Sequence, residues 1–115
     1  MGILWRIQSN SGHYHFRILL DLTSWEVARF DSPGSVTTLV SGTAKMNAKG
    51  TPNQVLIVGQ GSRFAIYLNG SPLTYFEDAQ LVSGNGVCNF IFGAPPGSVT
   101  IAIDNVKAWD ISDLP

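Results

Sequence analysis

Apolar and polar positions in this chain alternate with a period of two far more often than they recur at the spacing of a helix. Residues 13–20, HYHFRILL, place Tyr14, Phe16 and Ile18 on one face and His13, His15 and Arg17 on the other, the pattern of a half-buried strand. The opening ILWRIQ fits another strand, and SNSG (9–12) between the two supplies the Ser, Asn and Gly of a tight turn. SWEVARF (24–30) sets Trp25, Val27 and Arg29 against Glu26, Ala28 and Phe30 before DSPG ends it with a type I or II turn signal. VTTLVSG (36–42) is short and β-branched, and TAKMNAKGTPN after it is the longest predicted loop, with room for a turn of helix.

The second half continues in the same way. NQVLIVGQ (53–60) is a continuous apolar run, and RFAIYL after it puts Phe64, Ile66 and Leu68 on one face and Arg63, Ala65 and Tyr67 on the other. Asn69-Gly70 supplies the two positive-φ residues of a type I′ hairpin turn. SPLTYFEDA predicts a short strand, GVCNFIFG (86–93) a buried one, and SVTIAIDNVKAWD the last. In that last strand Val99, Ile101 and Ile103 alternate, then the apolar positions change phase to Val106 and Ala108, which a β-bulge at Asp104-Asn105 explains. The expectation is about nine strands in an all-β, antiparallel two-sheet sandwich with little or no helix.

Composition narrows this further. At 115 residues the chain is expected to form a single domain spanning residues 1–115. Hydrophobic residues make up 44% and charged residues 13%, so the polar surface comes largely from Ser, Thr, Asn, Gln and Gly. Seven basic and eight acidic residues leave a net charge of −1 with no Lys/Arg cluster, which disfavours nucleic acid or an anionic membrane as partner. No run reaches the length of a membrane-spanning helix, and MGILWRIQ lacks the parts of a signal peptide. Cys88, the one cysteine, has no internal disulfide partner and reads as a small buried hydrophobe.

Three segments in order, GILWRIQSNSGHYHFRI, NQVLIVGQGSRFAIYLNGSPL and VTIAIDNVKAWD, together resemble the concanavalin A-like, laminin G-like jelly-roll superfamily. The resemblance covers most of the chain. It implies a curved two-sheet sandwich and a role in glycan binding, extracellular interaction or glycoside hydrolysis, in an extracellular or cell-envelope setting. Against full-size members the match starts partway in, so an unpaired sheet edge and a homodimer completed across it are expected.

Hydrolase chemistry requires two carboxylates held close together. Glu77 and Asp78 are adjacent and so point to opposite faces, Asp110 and Asp113 are terminal, and Asp21, Glu26, Asp31 and Asp104 are isolated in sequence. A degenerate glycoside hydrolase is therefore the weakest reading. No phosphate-binding glycine loop, nucleophile elbow or activated-cysteine setting is present. Asp104-Asn105 could offer oxygens to calcium, but free backbone groups at a bulge account for the pair, and no cofactor is expected. His13 and His15 share a face without further metal ligands nearby in sequence, so no metal site is expected; they could instead line a groove.

Sugar-binding faces stack rings on exposed aromatics, for which Trp5, Trp25, Tyr67 and Tyr75 are the candidates. Trp5 and Trp109 sit among apolar neighbours and read as core. Trp25 and Tyr67 share faces with Arg29 and Arg63 and are expected to reach solvent. The sequence thus points to a noncatalytic module binding carbohydrate through Trp25, Arg29, Arg63, Tyr67, His13 and His15. The alternative is a structural or protein-interaction domain, part of a larger extracellular or envelope protein. Asn69, Gly70, Asp104 and Asn105 serve turns and the bulge.

Overall fold

A computed structural model describes residues 2–9, 12–19, 23–32, 34–48, 51–81 and 85–90, the last as backbone alone. The strands in chain order are β1 (Gly2–Ile7), β2 (His13–Ile18), β3 (Ser24–Ser32), β4 (Ser35–Thr43), β5 (Val55–Gln60), β6 (Arg63–Leu68), β7 (Ser71–Glu77) and β8 (Asn85–Phe90). They form two antiparallel sheets, one of five strands in the order β4-β3-β2-β1-β8 and one of three in the order β5-β6-β7. No helix occurs among the described residues, and 44–48 and 51–54 run as an irregular connection where a helical turn had room. The predicted closing strand, with Asp104, Asn105 and Trp109, and the side chain of Cys88 lie outside the described residues.

Alternation decides which side chains meet between the sheets. From the large sheet come Trp5, Tyr14, Phe16, Ile18, Trp25 and Val27; from the small one come Phe64, Ile66 and Leu68, and Met46 closes the cluster from the connection after β4. Burying each such side chain is worth about 1.5–3 kcal/mol, so this shared core is what joins the sheets. Its centre is aromatic: Tyr14 and Phe64 meet edge to face with ring centroids 5.1 Å apart, and Phe64 stacks on Phe76 at 4.9 Å. Two rings lie over glycines directly across the ladder, Trp25 over Gly42 and Phe64 over Gly59, where an added Cβ would come within 2.9 Å of the ring in each case.

Three irregularities adjust the pattern, and in one of them Asp31 is an extra residue of β3 between Phe30 and Ser32. Leu39 is an extra residue in β4, between the partners of Val27 and Ala28, and Leu73 is an extra residue in β7, between the partners of Ile66 and Tyr67. Both leucines pack against the core, so each bulge turns an apolar side chain inward and resets the phase of its strand beyond that point. The β6–β7 connection is the Asn69-Gly70 pair, at φ 52° and 83°. Asn69 is also held from outside: its Oδ1 accepts from the Gln54 N–H at 2.8 Å and its Nδ2 donates to Asn53 Oδ1 at 3.0 Å.

One end of the sandwich is fastened by polar groups instead. The Tyr14 hydroxyl donates to the Asp78 carbonyl at 3.1 Å and accepts from the Leu81 N–H at 3.2 Å. Arg6 sends its guanidinium across to the Gly61 and Leu81 carbonyls and over the Phe64 ring, 4.6 Å from the centroid. Burial lowers the Arg6 pKa from its ordinary value.

Candidate functional site

The outer face of the three-stranded sheet can be built row by row from the pairing register. Leu56, Tyr67 and Pro72 lie side by side across the strands, then Val58, Ala65 and Tyr75, then Gln60, Arg63 and Glu77. Two rows are apolar or aromatic and the third is polar. Tyr75 is 66% exposed and Leu56 45%, leaving an aromatic and an aliphatic side chain open to solvent on the same face. Ala65 is the smallest side chain of the array. A shallow depression of about 390 Å³ opens there, lined by Val58, Gln60, Arg63, Ala65, Tyr75 and Glu77 and bordered by Phe64 and Phe76.

The walls of this depression are coupled. Tyr67 stands edge-on to Tyr75, with centroids 6.4 Å apart and planes at 86°. The hydrogen bond with Tyr67 raises the Tyr75 phenol above its ordinary pKa. Arg63 and Glu77 form an exposed ion pair, Nε to Oε1 3.5 Å. Such a pair contributes little to stability and leaves donors and acceptors available to a ligand.

The six residues picked out from the sequence fall in three places. Arg63 and Tyr67 are on this face. His13 and His15 are on the outer face of the large sheet, where His13 stacks on Phe30 at 5.1 Å. His15 Nε2 is 3.5 Å from Glu26 Oε1, and Glu26 also pairs with Arg17 at 2.6 Å. Desolvation lowers the His15 pKa, partly offset by the Glu26 carboxylate.

Trp25 and Arg29 depart from the expectation of exposure. Trp25 is 5% exposed and packs in the core against Phe16, because β3 turns the Trp25, Val27 and Arg29 face inward across from Ile18, Phe16 and Tyr14. Arg29 sits at the end of that inward face with its charge matched by Asp31 and Asp78. It joins the sheets and is not a surface group. Asp31 and Asp78 do approach a common point, but that point is the Arg29 guanidinium, so both carboxylates are engaged as its partners. Glu77 faces out while Asp78 turns in, as adjacent residues of an extended chain must.

Tyr75, Glu77 and Gln60 complete the face beyond what the sequence selected. A two-residue turn at Asn69-Gly70, extended without interruption, would set Tyr75 opposite Phe64 on the core side. The extra Leu73 shifts the register so that Tyr75 instead pairs with Ala65 and Glu77 with Arg63. The available signal was the Tyr75 ring itself, weighed as an aromatic candidate. Among the described residues no three His, Cys, Asp or Glu side chains gather to hold a metal ion.

No protein-family description matches the chain, and no curated protein does. Among solved structures the chain is similar to the carbohydrate binding module CBM66 from Bacillus subtilis, with a TM-score of 0.61 and 13% identity, over 70% of this chain and 50% of that one. The match thus spans half the length of that module. At this identity the likeness is one of fold, a β-sandwich.

Proposed function

We propose that this chain is a noncatalytic carbohydrate-binding module of the concanavalin A-like, laminin G-like kind, a single domain that engages sugar on the outer face of its three-stranded sheet. Tyr75 and Tyr67 form the aromatic wall, Ala65 and Val58 the floor, and Gln60, Arg63 and Glu77 the polar edge. The observation that carries this reading is the juxtaposition of an open aromatic ring, a depression beside it and a polar row at its end. A sugar ring needs all three: C–H groups stack on the aromatic while hydroxyls find donors and acceptors at the rim. The likeness to a module named for carbohydrate binding supports the same class.

A glycan array on the purified chain is the test. Tyr75→Ala, at an open position, removes array binding while thermal stability stays close to that of the parent. A blank array with folded parent protein refutes the proposal.

A second reading rests on β4. Among the described residues this strand pairs with β3 alone, contains no charged residue, and exposes 55% of Val36. An uncharged edge of this kind accepts another strand, which supports a protein partner or a second copy. A monomer in light scattering at high concentration rules out the second copy.

A further inference from the structure

We infer that the ligand of this face is a neutral sugar carrying adjacent hydroxyls, and not a carboxylated one; the inference rests on the carbohydrate-binding role proposed above. The three rows hold one cation and one anion, Arg63 and Glu77, and these stand 3.5 Å apart. A sugar carboxylate drawn to the free Nη donors of Arg63 would lie beside the Glu77 charge, 3.5 Å from Arg63 Nε. Like charges in close contact are a strong means of rejecting a ligand. A hydroxyl meets no such barrier, since it both donates and accepts. Two neighbouring hydroxyls can accept from the Arg63 guanidinium and donate to the Glu77 carboxylate while the ion pair stays in place.

The remaining walls are uncharged. Val58 and Ala65 give the floor no polar side chain, and Tyr75 offers a ring to the apolar side of a sugar. At about 390 Å³ the depression lies toward the small end of ligand sites, which suits a short stretch of sugar over a long chain lying flat.

Titration calorimetry on the full chain tests this with two sets of probes: neutral trisaccharides of glucose, galactose, mannose and fructose, against trigalacturonate and sialyllactose. The expected result is a neutral probe whose Kd changes less than about twofold between low and high salt. Both acidic probes should bind at least about tenfold more weakly. Glu77→Gln, at an exposed position, should strengthen trigalacturonate binding at least about threefold by removing the opposing charge. An acidic probe that binds the parent more tightly than every neutral one, or a tightest Kd that rises steeply with salt, overturns the inference and leaves the carbohydrate-binding role intact. Failure of both sets to bind removes that role as well.

Discussion

The Arg29 guanidinium, on β3 of the large sheet, donates through Nη1 to Oδ2 of Asp78, the residue that follows β7 of the small one. A second carboxylate, Asp31, accepts from Arg29 Nε. Hydrogen bonding to Asp31, with Asp78 adding to it, holds the Arg29 pKa above its ordinary value against the cost of burial. The Asp78 side chain is 7% exposed and its Oδ1 also accepts from the Gln80 N–H. Asp78→Ala therefore strips a nearly buried guanidinium of one partner, while the exposed Gln80 N–H turns to water. The expected loss is about 1–3 kcal/mol, read as a lower urea midpoint. Asp78→Asn, which keeps an acceptor oxygen, should lose less. Equal midpoints for parent and Asp78→Ala would show that the sheets are not joined here.

Trp25 and Gly42 face each other across β3 and β4 with no space for a side chain between them. Gly42→Ala must displace the indole, because its Cβ would come to 2.9 Å from the Trp25 ring. Overpacking of this kind costs about 1–3 kcal/mol. Trp25→Phe in the Gly42→Ala background should recover part of that loss, although Trp25→Phe alone destabilises. Additive losses in the double variant, measured by thermal denaturation, would refute direct contact.

The same pair shows where the sequence was legible and where it was not. Alternation, β-branched stretches and continuous apolar runs together located the eight strands, and alternation chose the inward faces of β2 and β6, because Tyr14, Phe16, Ile18 and Phe64, Ile66, Leu68 leave little choice of side. On β3 the inward face ends in Arg29, and a charged residue on a face suggests solvent when its partners are unknown. Asp78 lies 49 residues away in the chain, so nothing local could reveal that the charge was matched inside. The face at Ala65 was half legible for a different reason. Arg63 and Tyr67 follow from the period of β6, but Tyr75 and Glu77 join them only through the Leu73 bulge, and a one-residue insertion leaves no mark in composition.

Gly70 separates backbone strain from packing. Its φ is 83°, and an added Cβ would meet nothing within 4 Å, so any penalty for a side chain comes from the dihedral alone. Gly70→Ala should cost about 1–2 kcal/mol and Gly70→Val more, since a β-branched residue is least tolerant of positive φ. Substitution by D-alanine through chemical synthesis should restore the midpoint. A destabilised D-alanine protein would place the penalty outside the dihedral.

His15 makes stability depend on pH. Desolvation lowers its folded pKa below the ordinary 6.5, so the unfolded chain binds a proton more readily than the folded one in the window just under that value. The contribution of His15 is therefore favourable above pH 6.5 and is lost as pH falls through the window toward the lowered folded pKa. His15→Gln removes this titration. The difference in midpoint between parent and His15→Gln should shift in favour of the variant as pH is lowered from 8 to 5, a range of about three units around the imidazole pKa. A difference independent of pH would mean that His15 titrates alike in both states.

Arg6 is a non-glycine residue at φ 51°, a backbone setting that costs a side-chain-bearing residue about 1–2 kcal/mol. The same backbone carries the guanidinium to the carbonyls of Gly61, in the β5–β6 turn, and of Leu81, beyond β7, and lays it over Phe64. The strain and the contacts can be told apart by comparing two truncations. Arg6→Ala loses the contacts and keeps the strain, whereas Arg6→Gly loses the contacts and relieves it. In an ordinary strand glycine is the less stable of the two by about 0.5–1 kcal/mol. Here the order should reverse, with Arg6→Gly the more stable, both lying below the parent in urea denaturation. Amide exchange at Gly61 and Ser62 should quicken in both variants, because the turn they form loses its tie to β1. If Arg6→Ala proves more stable than Arg6→Gly, the backbone at this position is not strained, and the reach of Arg6 across the sandwich carries no conformational cost.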